Sequence, residues 1–207
     1  MTTTDSTPEL NSGTGAYVSQ LQARFLAGDP QARAILALLR QCVDEAPGHT
    51  PQMWEIALEV TPQNLIGRGD EPSPAESAVH QSLTLYGVHQ RGNTSQMHYS
   101  DGRSFGYAMG RLMRGRAPST KKRYDALLGA QSPRSRAYHL RSLMGLLSAD
   151  GIPLDHGQLA WDLYLLQVDR HRDSISRRWG RDFYRAFSST AKSTDAAFTE
   201  AASDQPA

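Results

Sequence analysis

One short pattern recurs along this chain and limits what it can fold into: a side chain able to cap a helix, followed at once by proline. It occurs as Asp29-Pro30, Thr50-Pro51, Ser73-Pro74 and Ser132-Pro133. A capping oxygen satisfies an amide of the first turn that has no partner inside the helix. Proline suits the next position, because its fixed φ is helical and the N–H it lacks would go unused there. Ser73 with Glu76 completes a capping box. Apolar residues follow these starts at helical spacing. Tyr17, Leu21 and Phe25 precede Gly28; Ile35, Leu36, Leu39, Cys42 and Val43 follow Pro30; Trp54 and Leu58 follow Pro51; Val79, Leu83 and Tyr86 follow Ser73. Asp155 opens a further helix, separated from the one before it by Gly151-Ile152-Pro153. No stretch alternates apolar and polar residues with β-branched enrichment, so no strand is expected. The pattern predicts an all-α fold, a compact bundle of about eight to nine helices with no sheet. The main loops fall at 61–73 and 91–101. Residues 1–14 and 188–207, rich in Ser, Thr and Ala, read as flexible tails around a helical domain over 15–187.

Composition removes several function classes. The chain has 207 residues, enough to build a core without metals or disulfides. Its longest apolar run, Ala34 to Leu39, is far short of the roughly 20 residues a membrane span needs. MTTTDSTPEL lacks the basic and apolar regions of a secretion signal. Cys42 is the single cysteine, which rules out an internal disulfide and a thiolate zinc cluster. A cytoplasmic protein without a membrane partner is the expectation.

The net charge of +1 conceals a strong asymmetry. Residues 1–100 carry −5, residues 101–141 carry +8, and residues 142–207 carry −2. Local concentration of positive charge is the footprint of a phosphate-rich partner. With 103–114 taken as a helix, Arg103, Tyr107, Arg111 and Arg114 fall within about 80° of one another, opposite Phe105, Met109 and Leu112. Arg116, Lys121, Lys122 and Arg123 follow directly. In 133–148, Arg134, Tyr138 and Arg141 cluster away from the apolar Leu140, Leu143, Met144 and Leu147. Along 171–187, Arg177, Arg181 and Arg185 step by four opposite Ile175, Trp179, Phe183 and Ala186. Like charges so spaced destabilise a helix by about 0.2–0.5 kcal/mol per pair, a cost that an external polyanion offsets. Solvated arginine stems covering apolar surface are the plainer alternative.

Catalytic chemistry has no candidate constellation. The seven histidines (49, 80, 89, 98, 139, 156 and 171) form no HExxH motif, and no paired carboxylates or P-loop lysine occur. Gly67-Arg68-Gly69 lacks the preceding strand a dinucleotide fold needs and reads as a turn. A binding protein with no cofactor, no metal site and no catalytic residues is expected.

Two stretches carry a family resemblance. Pro74–Gln90, PAESAVHQSLTLYGVHQ, followed by Gly102–Leu112, GRSFGYAMGRL, resembles the CasB family, the small subunit of the type I-E CRISPR Cascade surveillance complex. Arg123–Leu163, RYDALLGAQSPRSRAYHLRSLMGLLSADGIPLDHGQLAWDL, does so too. The order carries the likeness: a short Ser-Phe-Gly-x-Ala segment, a basic pair before an aromatic helix, a helix with His-Leu-Arg, then Pro-Leu-Asp and a Trp-containing helix. It covers roughly 74–187.

The resemblance implies a non-enzymatic, all-α subunit of an antiviral ribonucleoprotein complex. Such subunits assemble head to tail as two copies, beside other Cascade subunits with guide RNA and target DNA. They help hold the displaced single-stranded non-target DNA and so stabilise the R-loop. Lys122 and Arg123 match the family's basic pair, and Arg141 matches the arginine of its His-Leu-Arg helix. Arg103, Arg111, Arg114 and Arg116 lie in a segment that is basic in the family. Arg33 and Arg40 are counterparts of basic residues in its early helix. The expected nucleic-acid-binding set is therefore Arg103, Arg111, Arg114, Arg116, Lys121, Lys122, Arg123, Arg134 and Arg141. Two other readings stay open from the residues alone. One is a helical adaptor whose arginines meet acidic protein surfaces. The other is a regulator reading duplex DNA, for which Gly115–Ser119 makes a poor helix-turn-helix turn.

Overall fold

The capping signals operate where the sequence places them. Asp29 accepts the Gln31 amide at 2.8 Å, Ser132 the Ser135 amide at 3.1 Å and Asp155 the Gln158 amide at 3.0 Å. Ser73 and Glu76 form both bonds of their capping box. Thr50 differs: its hydroxyl turns to the Glu45 carboxylate at 2.6 Å, leaving proline alone to open the helix. The computed structural model describes residues 7–114 and 118–189. Among these, nine α-helices run in order: α1 Thr7–Leu26, α2 Pro30–Gln41, α3 Pro51–Val60, α4 Pro74–His89, α5 Phe105–Met113, α6 Pro118–Leu128, α7 Pro133–Ala149, α8 His156–Leu165 and α9 Asp169–Ser188. Short 3-10 turns stand at Cys42–Asp44 and Gln63–Leu65. Among the described residues there is no strand, only one isolated bridge between His98 and Leu154.

Three expectations need correction. Residues 7–14, read as tail, form the first two turns of α1, and Leu10 and Thr14 there are fully buried. The Ser, Thr and Gly content of that stretch hides the single leucine that docks it. At the other end α9 carries on through Ser188, so the expected tail starts late; residues 1–6 and 190–207 lie outside the described residues. The helix expected over 103–114 starts later, because Ser104 is its N-cap, accepting the Tyr107 amide at 3.2 Å. Arg103 therefore precedes the helix.

Helix α4 organises the core. Twelve of its sixteen residues are buried, which marks a helix covered all round rather than an amphipathic one. Val79, Leu83 and Tyr86 face an apolar cluster shared with α1, α2 and α3, built on Leu10, Val18, Leu21, Leu36, Leu39 and Met53. Ala78 and Leu85 face a second cluster, with Phe105, Met109, Tyr124, Leu140, Met144, Leu159 and Trp179 from α5 to α9. The single apolar face expected for this helix is only half of what it buries.

Small residues set two close crossings. Helices α5 and α9 run in the same direction with matched four-residue steps. A β-carbon added at Gly106 would stand 2.3 Å from the Trp179 carbonyl oxygen, and one at Gly110 2.3 Å from that of Phe183. Similarly, a β-carbon at Gly157 of α8 would stand 2.3 Å from the Asn11 carbonyl oxygen of α1. These glycines let backbones touch where any side chain would separate them. Gly110→Ala is expected to lower stability by about 1–2 kcal/mol through overpacking. Gly145→Ala on α7, where nothing lies within 4 Å, is expected to raise it by a few tenths to about 1 kcal/mol. Urea midpoints of the two variants should move in opposite directions.

The two clusters are tied by a buried polar junction. The Gln22 side chain of α1 accepts the Met97 and His98 amides at 2.9 and 2.8 Å and donates to the His98 carbonyl at 3.1 Å. Ser82 of α4 donates to the His156 carbonyl at 2.7 Å. The loop after α4 is thereby held against α1 and α8, which fixes the start of α5 and the direction of its basic side.

Candidate nucleic-acid interface

Helices α5, α6 and α7 bury Phe105, Met109, Tyr124, Leu127, Leu140 and Leu143 in one cluster, so their remaining faces turn outward. Those faces carry the basic residues. Arg111 on α5, Lys122 and Arg123 on α6, and Arg134 at the start of α7 are exposed and meet no acidic side chain among the described residues. An unneutralised guanidinium or ammonium on a rigid helix is a ready contact for a phosphate.

Four of the other expected residues are already engaged. Arg103 pairs with Asp101 at 2.7 Å, and its guanidinium lies 4.7 Å from the centre of the Tyr99 ring. Arg114 closes the C-terminus of α9, donating to the Ala186 carbonyl at 2.8 Å through Nε and to the Ser189 hydroxyl. That is structural work, since the last carbonyls of a helix lack intrahelical donors. Lys121 bonds Asp125 at 2.8 Å, one turn along α6. Arg141 pairs with Asp44, ninety-seven residues earlier in the chain. Arg116 lies outside the described residues. Arg141, Arg134 and Tyr138 border a groove of about 770 Å³ whose far wall includes Asp44, Glu45 and His80.

On α9 the expected faces are present. Ile175, Trp179 and Ala186 are buried, Phe183 is half-buried, and Arg177, Arg181 and Arg185 are exposed. Arg185 approaches Asp182 at 3.3 Å. Arg178, which the spacing argument did not single out, turns inward to pair with the fully buried Asp162 of α8. Asp162 also accepts from the Trp179 indole and from Gln158 at 2.7 Å. Burial raises this carboxyl above its ordinary range despite the arginine beside it.

The histidines form a structural cluster. His89 Nε2 lies 2.9 Å from the Ile152 carbonyl, which only accepts, so the proton sits on Nε2. His89 Nδ1 is then the acceptor at 2.9 Å for His156 Nε2–H. His98 Nδ1 accepts the His156 amide at 3.1 Å, and its Nε2–H faces the Gly15 carbonyl at 3.1 Å. His156 Nδ1 keeps a lone pair with no hydrogen-bond partner among the described residues. Burial holds all of these rings below the ordinary histidine pKa, His89 at about 4, and His80 of α4 also at about 4. Among the described residues no three His, Cys, Asp or Glu side chains are placed to hold a metal ion.

A family model, CRISPR-associated protein Cse2 (CRISPR_cse2), matches residues 35–184, from within α2 to within α9. The chain belongs to the Cse2 family. The resemblance read from residues 74–187 thus extends further toward the N-terminus than those motifs reach. Among solved structures, CasB from Thermobifida fusca is 27% identical, with a TM-score of 0.66 over 84% of this chain and 97% of that one. A chain of a CRISPR RNA-guided surveillance complex is 20% identical, with a TM-score of 0.68 over 89% of this chain and 99% of that one. The second likeness is one of fold. No curated protein matches. The all-α Cse2 fold accounts for the helix order found here. The basic residues without an acidic partner among the described residues stand on α5 to α7, inside the matched region.

Proposed function

We propose that this Cse2 chain is a non-catalytic small subunit of a type I-E Cascade complex, one that binds nucleic acid without reading its sequence. The observation that carries this reading is the set Arg111, Lys122, Arg123 and Arg134, exposed on rigid helices without acidic partners among the described residues. Displaced DNA offers phosphates and unpaired bases, and such a surface holds it by charge. R-loop formation is nearly balanced energetically, so a few backbone contacts tip it. The −5 of residues 1–100 against the +8 of residues 101–141 suits docking on a second copy head to tail, beside other Cascade subunits with guide RNA and target DNA. Among the described residues no helix is long and apolar enough to cross a membrane, in keeping with a cytoplasmic site of action.

The test is binding of a labelled single-stranded oligonucleotide and its duplex at several salt concentrations. The Arg111→Ala, Lys122→Ala, Arg123→Ala triple variant should bind more weakly, with a salt slope shallower by up to about 2, since each phosphate contact contributes about 0.7 for single strands. Its melting temperature should hold, because none of the three side chains has a described acidic partner. Arg114 is left out of the set because its loss would strip the end of α9. An unchanged affinity and slope would remove these three residues from the interface. Strong sequence preference on duplex DNA would favour a regulator instead.

A further inference from the structure

The end of α9 carries an exposed aromatic ring that is backed by other rings. Phe187 is 48% exposed, and its ring stacks on Phe183 with centroids 5.9 Å apart and planes at 9°. Phe183 stacks in turn on the buried Tyr124 of α6, at 5.2 Å and 16°. Tyr124 packs on Phe105, which lies 5.2 Å from Trp179. A column of rings therefore runs from the core to the surface and ends in Phe187. Tyr184, one turn earlier, is more exposed but has no ring behind it among the described residues.

The helix that supplies Tyr124 to this column also carries exposed cations. The matched steps of α5 and α9 set Gly106 against Trp179 and Gly110 against Phe183, and Arg114 bonds the Ala186 carbonyl. Phe187 thus stands level with the end of α5. Lys122 and Arg123, exposed on α6 without an acidic partner among the described residues, directly precede Tyr124 of the column. A flat apolar face beside cations suits a ligand that is both aromatic and anionic. An unpaired nucleotide is both: its base offers a π-face and its phosphates the charge. An apolar protein side chain would use the ring and leave the cations unanswered.

We propose that Phe187 is a stacking platform for one unpaired base of single-stranded nucleic acid, with the exposed Lys122 and Arg123 of α6 taking the adjoining phosphates. This rests on the nucleic-acid-binding reading above and adds to it an uncharged contact that salt does not screen. Stacking pre-organised by a ring column costs little ordering of the protein on binding.

The test uses the full chain with labelled oligo-dT and an abasic oligonucleotide of equal length. Phe187→Ala should weaken oligo-dT binding about 5- to 150-fold, the range found for alanine replacement of a stacked aromatic. It should leave both the salt slope and abasic binding unchanged. Phe187→Trp should keep its affinity within about threefold, and its emission should be quenched by oligo-dT but not by the abasic strand. Circular dichroism of both variants checks that α9 is intact. Equal affinities of Phe187→Ala and the parent for oligo-dT overturn the platform, as do equal losses on the two strands. A change confined to self-association in sedimentation shows that the ring meets protein, and overturns it too. A parent chain that binds neither strand overturns both readings. Parent binding that the triple variant weakens and Phe187→Ala does not leaves the charge-based reading standing and removes the platform alone.

Discussion

Asp162→Ala is expected to destabilise the protein by about 3 kcal/mol or somewhat more, at the lower end of the cost of breaking a buried ion pair. The carboxylate is fully buried and accepts from the Trp179 indole, Gln158 and Arg178. Removing it leaves the indole N–H of a buried tryptophan without its acceptor, at the centre of the α5–α9 cluster. A buried donor left unpaired costs about 1–3 kcal/mol by itself. The methyl of alanine also opens a small void. Arg178 limits the damage, because its side chain is 39% exposed and can turn to water. Asp162→Asn should lie between, since one amide oxygen still accepts while the amide nitrogen confronts a donor. Urea denaturation at pH 7 measures both. A loss below about 1 kcal/mol for the alanine variant would mean that this network does not hold α8 to α9.

The second large effect is acid destabilisation above the carboxylate range. His80 and His89 are held at about 4 by burial, and His98 and His156 are also depressed. In the unfolded chain all four bind protons near the ordinary value of about 6.5. Their folded pKa values are the lower ones, so the unfolded state takes up protons first as the pH falls. Stability is full above pH 6.5 and declines from there toward pH 4. At pH 5, His80 and His89 together account for roughly 4 kcal/mol of the decline, and the other two add in the same direction. Asp162, whose pKa burial raises, acts with the opposite sign as the pH falls through its folded-state value. Urea midpoints at pH 7.5 and pH 5.0 test this. His89→Gln should flatten the difference, and a parent curve flat over that interval would show that the rings titrate freely.

Local signals were legible and distant ones were not. The proline-linked caps, Gly28 and the apolar spacings located eight of the helices, because each is decided within a turn or two of chain. Where a neighbour decides, the reading shifted. Spacing assigns α4 one packing face, Val79, Leu83 and Tyr86, yet α8 approaches at Ser82 and α2 at Gly87. Gly106 and Gly110 passed unnoticed because their meaning depends on α9 lying against them. The candidate interface divides in the same way. Spacing puts Arg111 and Arg134 on outward faces, where they stand, and Lys122 and Arg123, marked by charge and by the family resemblance, are exposed as well. It could not see that Arg141 meets Asp44 across the fold, or that Arg114 serves the end of α9. The stacked rings from Tyr124 to Phe187 join two helices some sixty residues apart, and no periodicity within either helix announces them.

The seating of Gly157 against the backbone of α1 bears on the order of synthesis. Helix α1 meets Gly157 only when residues 156–165 have followed it, and α5 waits longer still for α9. The cluster of α5 to α9 cannot close around a nascent chain that stops at α4. Until α9 is made, the outward arginines ride on helices with no finished interior behind them. A polypeptide that stops short of α9 therefore presents its basic side chains on an unfinished surface.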